Sequence, residues 1–403
     1  MSLTRRRWFI LALAAFVNLF AGSIYAWSVF AAPLAEHLSQ VAGTTLTAGD
    51  MAVAFSLANA VGPLPLLIGG WITDRFGPRS VMMAGGILSG LGYWITGSAQ
   101  SFTAVLVGYG LFFGIGLGLV YGCTVSNTLK FFPDHRGFAG GLTTAAYGLS
   151  SAVIAPLAAH FIGTLGVADT LRSLGVAIGC VAVIGGLFSV RCPADFIPEG
   201  WTPTKSRFSQ GLDADWHQML KTPVFWSMWA LLLCGAITGM MILSHAQSIG
   251  MNVMGLSAAT AATGVAFLAF SNTSGRLLAG VLSDYLGRTR TLALALTSSI
   301  AGLTALASAN ADTVPLFYAG LAAVGLSLGA FMGVYPGFTT QEFGSRHNSV
   351  NFALMFMGFS LAGTVGPILM NQLQTAGFSI ACGAAAVIAA AGFLFIGLYR
   401  KQK

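Results

Sequence analysis

The chain has 403 residues, of which 55% are hydrophobic and only 8% charged, where a soluble domain carries about 25% charged residues; mean hydropathy is +0.78. This balance excludes a soluble globular domain, a disordered chain and a collagen-like fibre. The net charge of +7 reads first as membrane topology and not as nucleic-acid binding.

Twelve apolar runs follow one another, at 8–32, 47–71, 79–98, 102–127, 138–163, 171–190, 223–249, 257–282, 291–309, 313–339, 349–372 and 376–399. Each is close to the roughly 20 residues that a helix needs to cross a bilayer. The expected fold is an all-α membrane protein of twelve transmembrane helices. The start of the chain, Arg5-Arg6-Arg7, an apolar stretch and then Ala31-Ala32-Pro33, mimics a signal peptide. The stretch is too long for a cleaved segment and eleven runs follow, so it reads as the first span, retained. Residues 191–221 form the one long connection, with Pro193, Pro198, Pro203 and a short helix predicted over Asp213–Leu220. The expected organisation is a six-helix bundle at 1–190, a cytoplasmic linker at 191–221 and a second six-helix bundle at 222–403. With both termini cytoplasmic, 17 of the 19 cations fall on cytoplasmic segments, as the positive-inside rule requires. Arg172 falls outside, and Arg276 falls within a span. Cys123, Cys180, Cys192, Cys234 and Cys382 form no CxxC pair, so neither a metal site nor a disulfide is expected.

The two halves repeat. Gly70-Trp-Ile-Thr-Asp74-Arg75-Phe-Gly77-Pro-Arg79 follows the second run, and Gly280-Val-Leu-Ser-Asp284-Tyr-Leu-Gly287-Arg288 follows the eighth, 210 residues later. Tyr121 recurs as Tyr335 and Pro156 as Pro367, at separations of 214 and 211. Three landmarks at nearly one offset indicate a duplication, and duplicated halves around a midplane site suit alternating access.

The GxxxD(R/K)xGR pattern, present twice, resembles the loop signature of the major facilitator superfamily, and implies its two pseudo-symmetric six-helix bundles. Asp74, Arg75 and Asp284 are then expected to latch one conformer by capping or ion pairing. Asn18-Leu-Phe-Ala-Gly22-Ser-Ile-Tyr25-Ala-Trp27-Ser28-Val-Phe30 in the first span resembles the opening of the oxalate/formate antiporter family. Met219-Leu-Lys-Thr-Pro223-Val-Phe225-Trp226 is similar to that family's linker exit. The family is related to the monocarboxylate transporters, and the resemblance implies exchange or symport of small carboxylates in a plasma membrane, of the bacterial inner-membrane type.

Arg276 is the sharpest residue. A cation inside a span costs about 2.5–3.5 kcal/mol, and Arg276 lies about 12 Å into the helix from Asp284. Its planar fork matches a carboxylate, and no acid in the chain lies deep in a span to neutralise it. The missing partner is read as the substrate; the competing reading is snorkelling, or a pair with a loop acid such as Asp284. The resemblance also implies an arginine on the eighth span as the carboxylate anchor. Asn272 lies one turn earlier on the same face. Related monocarboxylate transporters often carry an Asp there, and Asn cannot take up a proton. Tyr121 and Tyr335 are repeat-related phenols able to complete a carboxylate's hydrogen bonds. Phe331 is expected as an apolar wall beside Tyr335. Tyr25 shares a face with Asn18 and Gly22, and Phe359 and Tyr147 are further repeat-related candidates. Ordinary packing is the competing reading for each ring. His245 is a candidate for proton coupling, against a plain interfacial hydrogen bond.

No phosphate-binding loop, metalloprotease motif or nucleophile elbow occurs. No enzyme, metal or cofactor is expected, and no nucleic-acid partner. The expected partners are the bilayer, a small organic monocarboxylate, and protons or a counter-anion. The reading is a secondary carrier of lactate- or pyruvate-like monocarboxylates, by proton-coupled symport or anion exchange; the alternative is dicarboxylate (oxalate)/formate antiport.

Overall fold

A computed structural model describes residues 2–43, 45–193, 196–202 and 213–402. Pro203 and three of the cations counted as cytoplasmic, Lys205, Arg207 and Lys403, lie outside the described residues. Among the described residues the secondary structure is helical throughout, with no strand.

α1 (Leu3–Ala21) continues through a 3₁₀ turn at Gly22–Ala26 into α2 (Trp27–Ala42). α3 (Ala48–Val61) and α4 (Pro63–Phe76) form the second rod, and α5 (Pro78–Gly97) the third. α6 (Phe102–Val105), a π-type stretch at Leu106–Phe113 and α7 (Gly114–Phe131) form the fourth. α8 (Arg136–Leu165) and α9 (Val167–Phe188) complete the first half. After α10 (Trp216–Lys221) come α11 (Pro223–Asn252), α12 (Ala258–Leu286), α13 (Arg288–Ser308), α14 (Val314–Phe343), α15 (Asn348–Leu373) and α16 (Phe378–Lys401). Among the described residues, eleven of these rods are long and apolar enough to cross a membrane. α5, with 20 residues, matches the third predicted run, 79–98, and is the one of the twelve outside that set. Most rods overrun the apolar stretch because helical hydrogen bonding continues into the charged ends; the first runs unbroken over Leu3–Val41. The short linker helix starts later than the predicted Asp213. Asp215 caps it by accepting from the Gln218 N–H at 2.8 Å, while Gln218 Oε1 accepts from the Asp215 N–H at 3.0 Å, a reciprocal capping box.

The chain forms two compact units. One comprises Met1–Asp134, Ala146–Asp213 and Gly344–Ala353; the other comprises His135–Ala145, Ala214–Phe343 and Leu354–Lys403. The first turns of α8 thus belong to the second unit, and those of α15 to the first. In the first unit, Trp27 stacks on Tyr109 with centroids 3.7 Å apart and donates from Nε1 to the Met51 carbonyl at 3.0 Å. Tyr93 Oη donates to Ser23 Oγ at 3.1 Å. These bonds satisfy buried polar groups in the one stretch where the 3₁₀ and π turns depart from regular helix. The second unit packs Phe317, Leu321 and Val324 at one level and Met228, Phe331 and Phe338 at another.

Both units use one packing device. A methyl at Gly114, Gly118 or Gly122 of α7 would strike Ala58, the Gly62 carbonyl or Leu66. A methyl at Gly325, Gly329 or Gly333 of α14 would strike the carbonyls of Leu268, Asn272 or Arg276. The two glycine rows lie 211 residues apart and the residues they meet 210 apart. A small residue every fourth position lets two helix backbones touch, the favoured close contact in lipid. The match makes Gly62 and Leu66 the first-half counterparts of Asn272 and Arg276, and on the same register Met332, not Tyr335, stands opposite Tyr121, so the two tyrosines are not repeat-related.

Candidate functional site

Arg276 lies in α12 with its backbone locked against Gly333, and is 3% exposed. Its Nε donates to Asn272 Oδ1 at 3.0 Å, and Nη1 donates to the Thr144 carbonyl at 2.9 Å. Among the described residues Nη2 makes no hydrogen bond and no carboxylate pairs with the guanidinium. Thr144 belongs to the stretch of α8 that forms part of the second unit. That stretch approaches α12 at two glycines: a methyl on Gly141 would sit 2.7 Å from the Arg276 carbonyl, and Gly137 meets Gly280. The contact between Arg276 and Thr144 was not visible in the spacing, because the acceptor is a backbone carbonyl 132 residues away.

The tyrosines separate into two groups. In the first unit Tyr147 stands between two others, its ring centroid 5.3 Å from that of Tyr25 and 4.8 Å from that of Tyr121. Tyr25 is 38% exposed and Tyr147 half-buried, whereas Tyr121 is buried. Asn18, on the expected face, is buried and accepts from Thr124 Oγ1 at 2.9 Å. Gly22 lets α1 press against the Tyr147 carbonyl. In the second unit Phe331 and Tyr335 stack, 6.0 Å apart, inside the helix packing and not along an open wall. Gly235 leaves its backbone bare beneath the Phe331 ring, and Tyr335 Oη donates to the Met228 carbonyl at 2.7 Å. Phe359 is half-buried on α15, against Phe356.

His245 bridges α11 and α15: its Nε2 lies 2.7 Å from Asn371 Oδ1 and its Nδ1 2.7 Å from Ser244 Oγ. The amide oxygen can only accept, so Nε2 carries a proton toward it.

The signature acids sit at helix ends. Asp284 accepts from the N–H groups of Gly137 and Phe138, both at 2.8 Å, at the start of α8, and from Arg288 Nη2 at 2.9 Å. Asp74 accepts from the Ser349 N–H at 3.2 Å, the Val350 N–H at 3.3 Å and Ser349 Oγ at 2.7 Å, at the start of α15. Each carboxylate thus meets the positive end of a helix and its orphan donors. The cation on Asp74 is Lys130, at 2.6 Å, which sequence spacing did not suggest. Arg75 is not that partner: its guanidinium lies over the Trp71 and Phe76 rings, 5.5 Å from each centroid.

The Major Facilitator Superfamily model matches residues 11–367. The oxalate:formate antiporter of Oxalobacter formigenes is 28% identical over 376 residues, 92% of this chain and 85% of that protein. Monocarboxylate transporter 11 of Mus musculus is 29% identical over 412 residues, 98% of this chain and 87% of that protein. The proton:xylose symporter XylE, solved with 6-bromo-6-deoxy-D-glucose, superposes with a TM-score of 0.74 at 15% identity, covering 99% of this chain and 96% of that one. The fold and the family match agree: the chain belongs to the Major Facilitator Superfamily and is a multi-pass membrane transporter, not an enzyme.

Proposed function

We propose that the protein carries small monocarboxylates, lactate- or pyruvate-like in size, by alternating access, with Arg276 as the carboxylate anchor. The observation behind this reading is a guanidinium buried within a span whose partners among the described residues are neutral oxygens. An unpaired cation in low dielectric is costly, and a substrate monoanion supplies the missing charge through a two-toothed hydrogen bond. Asn272 holds Nε and so sets the plane of the fork. The Thr144 carbonyl occupies a donor that the carboxylate takes over. The accessible rings of Tyr25 and Tyr147, with Tyr121 behind them, are assigned to the substrate's remaining surface, and Phe359 to a short alkyl tail.

Oxalate/formate exchange is the second reading, favoured by the Oxalobacter formigenes relative. Against oxalate stands α15, Asn348–Leu373, which contains neither Lys nor Arg and so offers no second cation. Asn272 cannot carry a proton, so coupling falls to His245, to the substrate itself or to a counter-anion. Asp74 and Asp284 are assigned as latches for the conformer in which they cap α15 and α8. The bacterial inner membrane is the proposed location. Uptake of labelled lactate into proteoliposomes containing only this protein tests the reading: saturable transport lost in Arg276→Ala supports it, and normal transport by that variant overturns it.

A further inference from the structure

The first half seals the loop after its signature acid with an arginine. Arg191, three residues beyond α9, donates from Nη2 to the Asp74 carbonyl at 2.9 Å and from Nη1 to the Arg75 carbonyl at 3.1 Å. Its stem lies along Gly77, where an added methyl would meet Arg191 Cβ at 3.4 Å. The repeat places Gly287 at the corresponding point of the second half, 210 residues on, and the cation nearest the position matching Arg191 is Arg400, in the last turn of α16. The backbone agrees, with φ of 94° at Gly77 and 84° at Gly287, but the side chain does not dock. Nothing lies within 4 Å of a methyl built on Gly287. Arg400 is exposed and makes no hydrogen bond or ion pair among the described residues. In place of the docked arginine there is an open niche of about 270 Å³, lined by Arg288, Thr289, Gln341, Tyr399 and Arg400.

The charge at this niche is positive. Asp284 takes up the charge of Arg288 at 2.9 Å, and Glu342 accepts from Tyr399 Oη at 2.7 Å. Against the carboxylate of Glu342 stand three further cations, Arg290, Arg400 and Lys401, so the excess at this end of the helices is positive. Apolar side chains flank it: Phe393, seven residues before Arg400 on the same face of α16, is 38% exposed, and Tyr285 and Leu286 are exposed beside Gly287. A basic niche between helix ends, continuous with a lipid-facing apolar surface, has the form of a headgroup site. We propose that this niche binds the phosphate of an anionic bilayer phospholipid, with Arg400 as the cation that meets it and Phe393 and Leu286 along the acyl chain.

The test uses the purified full-length transporter in detergent, with the thermal unfolding midpoint followed as lipid is added. Phosphatidylglycerol is expected to raise the midpoint and phosphatidylcholine to leave it. Arg400→Ala should raise the half-saturating phosphatidylglycerol concentration about fivefold, as loss of one cation near a phosphate surface implies. Thr289→Trp fills the niche with Arg400 intact and should do the same. Arg191→Ala removes the docked arginine of the other half and should leave the lipid response as it was. If Arg400→Ala, an exposed substitution with little effect on folding, and Thr289→Trp both respond like the parent, the site is overturned. Equal stabilisation by millimolar inorganic phosphate without lipid would overturn the lipid as its source.

Discussion

Arg276 and Thr144 are joined by one hydrogen bond, 2.9 Å from Nη1 to the carbonyl oxygen. Its acceptor is uncharged, so the guanidinium is hydrogen-bonded without being neutralised. A carboxylate offers the same oxygen geometry together with the missing charge, and charge-assisted bonds are roughly twice as strong as neutral ones. On the proposed reading, substrate binding is an exchange of partners at a cation already buried, so the substrate's own carboxylate is the one new charge to be desolvated.

Arg276→Lys keeps the charge and loses the fork, so lactate transport should fall severely. Asn272→Asp probes the same point in the opposite direction. A carboxylate on Nε would neutralise Arg276 internally and compete with substrate, raising the apparent KM about tenfold at neutral pH. Protonating that new acid removes the competition, so the variant's KM should recover as pH falls, while the parent's changes less. Uptake kinetics across a pH series measure both; an Asn272→Asp variant with parental KM at neutral pH argues against Arg276 as the anchor.

The two signature acids should differ from their neighbour Arg75 in their contribution to stability. Asp284→Asn loses its charge at the α8 N–H groups and its pair with Arg288, and Asp74→Asn loses the equivalent at α15 and Lys130. Each loss should cost roughly 1–2 kcal/mol. Arg75→Ala removes a cation that rests on two exposed rings, a contact worth about 0.5–1 kcal/mol. Thermal unfolding of the three variants should therefore rank Arg75→Ala as the mildest, and a reversed order would remove the case for the acids as latches.

The spans were legible because apolar run length alone dictates a membrane helix, and the duplication because Asp74 and Asp284 carry the same local turn. Arg276 was legible for the same reason: a cation in an apolar run needs an explanation from sequence alone. Its partners were not, since Thr144 contributes a carbonyl that every residue possesses. The donors to Asp74 and Asp284 are likewise backbone N–H groups brought in from the opposite half of the sequence. Lys130 looked like an ordinary loop cation, and only the folded chain puts its ammonium on Asp74. Phe331 illustrates the converse: one face shared with Tyr335 was readable, but Gly235 draws that face into the packing of α11 and α14. Tyr25 was shifted out of regular helical phase by the 3₁₀ turn at Gly22–Ala26, which no residue spacing announces.

The beginning of the linker offers a chemical test of its docking. Cys192 follows Arg191 and donates its thiol to the Lys130 carbonyl at 3.3 Å. Burial pushes that thiol up to about 12, so near pH 8 its reactive thiolate is on the order of one part in ten thousand. Alkylation at Cys192, followed by peptide mass spectrometry, should be slow and should accelerate as pH rises toward that value. Arg191→Ala releases the anchor on α4 and should return the thiol toward ordinary reactivity, up to about a thousandfold faster at the same pH. Rapid labelling of Cys192 in the parent at neutral pH would show that this segment is not held as described.

The charge of the substrate is the most discriminating prediction. A dianion facing Arg276 alone leaves one carboxylate without a cation, and an unpaired ion in a low-dielectric site costs several kcal/mol. α15 could supply the second cation, but it reads Phe356-Met-Gly-Phe359-Ser-Leu-Ala362-Gly-Thr, without Lys or Arg. Lactate and pyruvate should therefore displace labelled substrate better than oxalate does, and the reverse order would refute the assignment of a monoanion. The gain-of-function companion is a lysine introduced on α15. Ala362 is fully buried and would bury an unpaired ammonium, so Ala362→Lys should mainly destabilise. Phe359 is half-buried, and Gly363 has nothing within 4 Å of an added Cβ, so lysines there have room to reach out. Phe359→Lys or Gly363→Lys should strengthen competition by oxalate and weaken competition by lactate. If neither variant shifts that ratio while both remain folded, this stretch of α15 does not face the substrate's second carboxylate.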